Sequence, residues 1–413
     1  MKQFSKYILF LLLYGVLVCK AQTVNDGQLY VSPKTVMTLI SNFDNKVLGE
    51  YENNGDVLFK GNFNNDGIVT YNPLLSGNTF FEGFTQQDIK GSVPADFNNV
   101  IFKNNNSQPA FRLYADISIN GNADFSKGII DSDNYGGVTF FGDVATHTKV
   151  SNDSFIDGMV IKNGSSDFIF PIGDHGHYRF SGISMEGNSA SSFSSKYFLE
   201  NSNNAYPHTN KETIIDLIDD KEYWVVEKAS GQQDVLLTLT WDDGGTTPAN
   251  IFNVPENLHV VRWDSQKNLW LDEGGAVDKD QKAVTTITKV KGYGVFTLAK
   301  VKSTAPSKED IIVYNAISPN GDGRNEYFVI DGIKKYPNNK VTIYNRWGIK
   351  VFETTGYDTK DNVFNGISEN NMTISPDKKL PPGTYFYVIE YDRAATGETP
   401  KKISKTGYLY ISK

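Results

Sequence analysis

Four side chains that could bind a metal ion fall within seven residues at the start of the C-terminal quarter of the chain. Asn320, Asp322, Asn325 and Glu326 all carry oxygen atoms, the donor type that Ca²⁺ prefers. Arg324 stands where a calcium loop would need another oxygen side chain, and no bidentate glutamate follows at EF-hand spacing. The same side chains could instead accept backbone amides in a tight turn. The sequence leaves both interpretations open.

A second candidate metal site is the segment GDHGH, which contains Asp174, His175 and His177. Two imidazoles and one carboxylate are ligands that Zn²⁺ accepts. Histidines two positions apart point in opposite directions if the segment is extended, and no third histidine lies nearby in sequence. A surface corner without a metal is therefore the favoured interpretation.

Tryptophans with neighbouring acids form a third candidate site. Exposed indole rings can stack on sugars while carboxylates bind the hydroxyl groups, so this pattern could form a carbohydrate platform. The alternation with Val and Leu in LTLTW and VVRW instead predicts burial in a sheet core. The residues concerned are Trp224, Trp241, Trp263, Trp270, Asp242, Asp243, Asp264, Asp272 and Glu273.

Local signatures of catalysis are absent from the sequence. It contains no HExxH, no GxSxG and no glycine-rich phosphate loop between a strand and a helix. We therefore predict a non-enzymatic protein without catalytic or cofactor-binding residues, in which Ca²⁺ at the turn 320–326 stays open as a cofactor. A β-helix enzyme can recruit carboxylates from separate coils, so acids such as Asp131 and Asp133 keep a polysaccharide-degrading protein as an alternative.

The N-terminal 21 residues read as a secretory signal peptide. Lys2 and Lys6 precede an apolar run, and Ala21 supplies a small residue at the expected cleavage position. The run is too short and wrongly flanked for a stable membrane span. Cleavage would remove Cys19, the only cysteine, so the mature chain is expected to lack disulfides, thiol chemistry and a transmembrane span.

Charge is distributed unevenly along the rest of the chain. Residues 22–310 carry 23 basic and 37 acidic side chains, whereas residues 311–413 carry 14 and 11. An acidic body on a slightly basic tail argues against nucleic acid as a partner. It fits a solvated extracellular protein.

A short repeat appears in the region 22–174. The segments GEYENNGDVLFK (49–60) and GNFNNDGIVTYN (61–72) share a period of twelve residues. Each unit is interpreted as one strand plus an Asn-Gly turn, and such units must stack to bury their apolar faces. This predicts a β-solenoid resembling a parallel β-helix, with an irregular sandwich as the alternative.

The remaining chain predicts two further β regions, and hence an all-β protein. Alternating strands at 175–300 predict a β-sandwich, with one short helix at Glu212–Asp220. A polar linker at 301–310 follows. Short strands separated by turn residues at 311–413 predict a small, immunoglobulin-like antiparallel sandwich.

Four ordered motifs in this last region carry a family resemblance. SPNGDGRNEYF, VTIYNRWGIKVFE, LPPGTYFYVIEY and KTGYLYI resemble the gliding-motility-associated C-terminal domain, the type B sorting domain of the type IX secretion system of Bacteroidetes. Glu326 departs from the Asp usual in the family but keeps the charge. The motif residues are Ser318, Pro319, Asn320, Gly321, Asp322, Gly323, Asn325, Glu326, Tyr344, Asn345, Arg346, Trp347, Gly348, Gly383, Tyr385 and Tyr387.

The resemblance implies that this region is a secretion signal. It predicts recognition by the type IX machinery at the outer membrane, export, and then release or attachment at the cell surface. Any cleavage of the tail is expected within 301–310. We therefore predict a secreted or cell-surface, adhesin-like or structural protein, with gliding as an associated process and an extracellular glycan or surface ligand as partner. A secreted polysaccharide-binding or polysaccharide-degrading β-helix is the alternative.

Overall fold

The computed structural model describes residues 22–185, 189–302, 311–346, 348–360, 362–368, 379–393 and 401–412. The predicted signal peptide, most of the predicted linker and Trp347 lie outside these residues. Strands dominate the described chain, which confirms the all-β fold class. None of the helices in the described ranges is long and apolar enough to cross a membrane. Short helical turns occur at Ser202–Asn204, Ala249–Phe252, Pro255–Asn257 and Ile333–Lys335.

The first part of the chain consists of short strands joined by tight corners. They are β1 (Gln22–Asn25), β2 (Gln28–Val31), β3 (Val36–Leu39), β4 (Asn42–Asn45), β5 (Glu50–Asn53), β6 (Asp56–Phe59), β7 (Phe63–Asn65), β8 (Ile68–Thr70), β9 (Asn78–Phe81), β10 (Gln87–Gly91), β11 (Ala95–Phe97), β12 (Asn99–Lys103), β13 (Phe111–Leu113), β14 (Ile117–Ile119), β15 (Asn122–Lys127), β16 (Ile130–Asp131), β17 (Thr139–Phe141), β18 (Thr146–Thr148), β19 (Ile156–Asp157), β20 (Val160–Gly164), β21 (Phe168–Ile169) and β22 (Ile172–Asp174).

These strands form a three-sided β-solenoid of about six turns. Strands on the same side of neighbouring coils pair in parallel. The exceptions are β8 and β11, which belong to separate sheets, and β21, which pairs antiparallel with residues 182–183. The first side runs β1-β4-β7-β10-β13-β16-β19-β22, and the third runs from β3 to β18. The second side has two sections, β2-β5-β8 and β11-β14-β17-β20. The solenoid prediction is confirmed.

The predicted twelve-residue unit is not one strand and is not one coil. Residues 49–60 contain both β5 and β6, so the unit spans two sides. Phe43 stacks in register on Phe63, and Tyr51 stacks on Val69, about twenty residues further along the chain in each case. The repeat therefore reflects the recurrence of one simple unit, a short strand followed by a corner, and three such units form one coil.

Two ladders fill the solenoid interior. Phe59, Phe81, Phe102 and Phe125 stack along the third side with ring centroids 5.6 to 5.8 Å apart. At one corner, Asn25 donates to Asn45 and Asn45 donates to Asn65, each at 2.8 Å between Nδ2 and Oδ1. The aromatic ladder supplies apolar burial, and the amide ladder satisfies polar atoms where the chain turns.

A sandwich continues directly from the last coils. Its strands are β23 (His177–Tyr178), β24 (Ser181–Met185), β25 (Ser191–Phe198), β26 (Ile215–Ile218), β27 (Tyr223–Ser230), β28 (Val235–Thr240), β29 (Leu258–Asp264), β30 (Leu269–Asp272), β31 (Ala276–Asp278), β32 (Ala283–Thr285) and β33 (Gly294–Val301). The predicted helix at Glu212–Asp220 is wrong, because β26 within it pairs with β33 and buries Ile215 and Ile218.

Strand pairing continues across the predicted boundary between solenoid and sandwich at 174/175. The solenoid strand β20 pairs with β25, the first strand of one sandwich sheet, whose order is β25-β27-β33-β29-β30. The other sheet of the sandwich has the order β21-β24-β28-β32-β31. One hydrophobic core extends from Val31 in the solenoid to Leu298 in the sandwich. The boundary at 174/175 stays a prediction. We refer to residues 22–302 as the N-terminal body.

The C-terminal domain has a hydrophobic core of its own, which includes Phe328, Ile343 and Ile389. A five-stranded sheet in the order β35-β40-β39-β37-β38 and the pair β34-β36 both contribute to it. The strands are β34 (Ile312–Val313), β35 (Ala316–Ile317), β36 (Ile330–Asp331), β37 (Lys340–Asn345), β38 (Lys350–Thr355), β39 (Gly383–Arg393) and β40 (Lys401–Ile411).

Candidate functional site

The loop that opens the C-terminal motif requires unusual backbone angles. Gly321 and Gly323 have φ of 87° and 80°, and Asn325 has φ of 53°. Glycine adopts this left-handed region without a steric penalty, and asparagine tolerates it better than most residues. Backbone conformation therefore accounts for Gly and Asn at these motif positions.

Glu326 closes this loop through both of its carboxylate oxygens. The backbone amide of Gly321 donates to Oε2 at 3.0 Å, and that of Gly323 donates to Oε1 at 2.9 Å. An Asp at this position has a shorter side chain, and the Glu in this sequence spans the loop. The carboxylate thus has a structural role in the turn.

The other predicted oxygen donors make similar bonds. Oδ1 of Asn320 accepts the amide of Asp322 at 3.0 Å, and Oδ1 of Asp322 accepts the amide of Arg324 at 2.8 Å. The backbone carbonyl of Asn325 accepts the amide of Ser318 at 2.7 Å. The structure brings all four predicted residues into one turn, as both interpretations require. Calcium binding at this turn stays a prediction.

The remaining motif residues that the structure describes belong to a hairpin and one strand. Gly348 has φ of 74° and donates its amide to the carbonyl of Asn345 at 2.9 Å, which closes the turn between β37 and β38. Tyr344 lies opposite Phe386 in the register of β37 with β39. In β39, which starts at Gly383, the hydroxyl of Tyr385 donates to the carbonyl of Pro381 at 2.9 Å. The hydroxyl of Tyr387 lies 3.4 Å from Oδ1 of Asn315. Before the strand, Lys379 donates to the carbonyl of Pro319.

The hairpin packs against the N-terminal body. A Cβ atom placed on Gly348 would lie 2.3 Å from Cδ1 of Leu236 in β28. The hydroxyl of Thr406 in β40 donates to the carbonyl of Gly275 at 3.3 Å. A side chain at position 348 would therefore require the Leu236 side chain to move.

A cleft of about 600 Å³ lies beside this contact, between body and tail. His147, Phe168 and Ile183 line it from the body, and Arg346 and Phe386 line it from the tail. Nε2 of His147 lies 2.6 Å from the carbonyl oxygen of Ile169, and burial lowers the pKa of this imidazole. Two residues of the motif segments, Arg346 in the turn after β37 and Phe386 in β39, therefore line a cleft shared with the body.

The GDHGH corner does not gather metal ligands. Nδ1 of His175 lies 2.5 Å from Oδ1 of Asp174, while Oδ2 of Asp174 accepts the amide of Leu199 at 2.9 Å. His177 lies opposite Asp174 in a two-stranded pairing. Among the described residues, no group of three or more His, Cys, Asp or Glu side chains is arranged to hold a metal ion.

The four tryptophans of the N-terminal body are core residues. Trp224 and Trp270 are fully buried, and Trp241 and Trp263 are nearly so. Their acidic neighbours bond locally: Glu273 accepts Nε of Arg262 at 2.7 Å, and Asp272 accepts Nδ1 of His259 at 2.8 Å. The hypothesis of an exposed indole platform is therefore wrong.

The sequence did not reveal a polar row along the first side of the solenoid, whose members are half-buried except for the buried Asp131. Register places Asp88, Arg112, Asp131 and Asp157 in line on consecutive coils. Burial raises the pKa of Asp157 to about 7, and the nearby charges of Asp174, Asp131 and Asp133 add to the effect. Most of these neighbours are more than twenty residues apart in sequence. They could have been aligned only if the number of residues in each coil had been known.

The fold joins a solenoid-based body to a C-terminal β-domain with its own core, in which the described motif residues form two turns and parts of strands. Residues 311–411, about a quarter of the chain, match the family model described as the CHU_C Type IX secretion signal domain. No curated protein matches the chain. The resemblance to a type IX sorting domain is confirmed, and it implies interaction with the secretion machinery and delivery to the cell surface or the medium.

Proposed function

We propose that this chain is a non-enzymatic, adhesin-like surface protein whose N-terminal body is carried out of the cell by residues 311–411. The single observation that supports the proposal most is the attachment of a type IX signal domain to a β-solenoid with a filled core. Stacked coils make a rigid body whose outer sides present rows of side chains. Such a body suits presentation of a binding surface outside the cell.

The proposal also includes a signal peptide, an origin in Bacteroidetes, an association with gliding motility and calcium at the motif loop. A secreted polysaccharide-binding or polysaccharide-degrading β-helix is the second candidate. The carboxyl groups of Asp157 and Asp174 favour it, because half-buried carboxyl groups on adjacent coils can bind or act on sugar hydroxyls.

Attachment of host cells to polysaccharide-coated glass tests the adhesin-like role. We expect a strain without the gene to attach severalfold less than the parent, and the full-length gene to restore attachment. A gene lacking residues 311–413 should not restore it although the body is synthesised, because the body would stay inside. Equal attachment by all four strains would contradict the proposal.

A further inference from the structure

We propose that the outside of the solenoid between β13 and β22 binds a neutral polysaccharide chain. The inference deepens the proposed surface role by naming a ligand class, and it rests on that role only for its biological setting. It is carried by two aromatic pairs, a row of carboxyl groups between them and the charge of their surroundings. We call this surface the tyrosine face; its residues are Arg112, Tyr114, Asp131, Asp133, Tyr135, Asp157, Asp174, Lys196, Phe198 and Tyr223.

The first aromatic pair lies at the corner that follows β13 and β16. The ring centroids of Tyr114 and Tyr135 are 4.8 Å apart, and Tyr114 is 42% exposed. The guanidinium of Arg112 lies 6.0 Å and 5.7 Å from the two centroids, and its Nε donates to Asp88 at 2.6 Å. The rings are therefore held in place before any ligand arrives.

The loop that carries Tyr135 is longer than the equivalent corners. Seven residues, 132–138, separate β16 from β17, whereas two separate β19 from β20 in the next coil. Asp131 anchors this loop, because its Oδ1 accepts the amide of Asn134 and its Oδ2 accepts the side-chain amide, both at 3.0 Å. The extra length raises Tyr135 beside Tyr114, which a two-residue corner could not do.

A second aromatic pair lies on the sandwich side of the same surface. Phe198 and Tyr223 stack with centroids 4.7 Å apart and an angle of 8° between the rings. Nζ of Lys196 lies 4.3 Å from the Phe198 centroid and pairs with Asp133 in the long loop. Contacts thus link the two aromatic pairs across the end of the solenoid.

The row of carboxyl groups lies between these pairs. Asp131 and Asp157 are in register on adjacent coils, about 4.8 Å apart by the usual strand spacing. Asp131 is only 5% exposed and holds the long loop, whereas Asp157 is half-buried and can meet a ligand. Asp174 belongs to the next coil, and its bond to the amide of Leu199 places it beside Phe198. Carboxylates accept hydrogen bonds from hydroxyl groups, while aromatic rings pack on the apolar C–H faces of pyranose rings. A sugar chain presents both features at every unit.

Charge selects a neutral chain rather than a polyanion. The two cations of the tyrosine face are already paired, Arg112 with Asp88 and Lys196 with Asp133. Burial, and then the neighbouring carboxyl groups of Asp174, Asp131 and Asp133, raise the pKa of Asp157 to about 7, so further negative charge is unfavourable here. Residues 22–310 also carry 37 acidic against 23 basic side chains. An anionic polysaccharide would meet like charge along the whole row.

Affinity electrophoresis of the purified chain from residue 22 onward tests the site. Native gels would each contain one polysaccharide: hydroxyethyl cellulose, xylan, mannan or amylopectin as neutral chains, and alginate or polygalacturonate as polyanions. We expect retardation by at least one neutral chain and by neither polyanion. Tyr114→Ala and Tyr135→Ala should each weaken the association by at least about tenfold, as the loss of a central aromatic contact does.

Tyr30→Ala is the matched control, because Tyr30 is a 57% exposed tyrosine on the second side of the solenoid. It should bind like the parent, and circular dichroism should show all three variants folded. The inference is overturned if no neutral chain retards the protein, if a polyanion does so, or if Tyr30→Ala weakens binding as much as the other variants. Such a failure would leave export untouched, because export is measured separately in cells.

Discussion

Replacing Phe59 with alanine is expected to lower the free energy of unfolding of the N-terminal body by about 3–5 kcal/mol. Phe59 is fully buried, and its ring centroid lies 5.1 to 5.6 Å from those of Phe43, Phe63 and Phe81. Removing it would leave a cavity in the middle of the aromatic ladder. Neighbouring coils on both sides of the gap hold the backbone, so the cavity cannot collapse easily.

Guanidinium unfolding followed by far-UV circular dichroism measures this effect. Phe84→Ala is the matched control, because Phe84 is in the same part of the solenoid but is 80% exposed. Its substitution should change stability by no more than about 0.5 kcal/mol. If the Phe59 and Phe84 variants unfolded alike, the ladder would not be the core of the solenoid.

Replacing Arg179 with methionine is expected to cost about 3–5 kcal/mol, the usual penalty for removing one partner of a buried ion pair. Arg179 donates through Nε and Nη2 to the two carboxylate oxygens of Glu222, each at 2.9 Å, and both side chains are almost fully buried. The hydroxyls of Tyr197 and Thr247 donate to the same carboxylate at 2.6 Å and 2.5 Å. The network joins the last solenoid coil to both sheets of the sandwich.

The cost of the Arg179 substitution should depend on pH. Burial alone would raise the pKa of Glu222, but the charge and hydrogen bonds of Arg179 lower it overall, so the native pair contributes stability that is lost as pH falls. Without Arg179, burial raises the pKa of Glu222 above its unfolded value. The variant should then be closest to the parent at pH 4 to 5 and lose most stability near neutrality, which denaturant titrations across that range would show.

Two further variants separate charge from packing in this prediction. The double variant Arg179→Met, Glu222→Leu should recover much of the loss, because no buried charge is left without a partner. Lys279→Met is the matched control, since Lys279 and Glu256 form an exposed pair expected to contribute at most about 1 kcal/mol. A penalty for Arg179→Met that did not change with pH would contradict the electrostatic explanation.

The solenoid could be predicted because its signals are local. Asn-Gly corners and alternating apolar positions identify short strands within each segment, such as Glu50–Asn53 and Asp56–Phe59. The coil length could not be read in this way, because the stacking of Phe43 on Phe63 is a long-range contact. The repeated segments 49–60 and 61–72 each cover two of the three sides of a coil. Their twelve-residue period is therefore shorter than the coil length.

The burial of the tryptophan side chains could not be read with certainty from the sequence. Trp263 stands beside Asp264 in sequence, but its ring packs 5.6 Å from that of Trp270 inside the sandwich. The strand at Ile215–Ile218 replaced a helix because pairing with β33 satisfies its backbone. The tyrosine face could not be predicted because Tyr114 and Tyr135, like Phe198 and Tyr223, come together only through the fold.

The central claim is that residues 311–411 export the N-terminal body, and fractionation of the native host tests it most directly. The body would be followed by antibody and by intact mass in periplasm, surface and medium, with and without residues 311–413. Tyr410→Ala, a change at an exposed tail residue, is the control and should be exported normally. We predict that truncation traps the body in the periplasm. Unchanged export of the truncated protein would contradict the account.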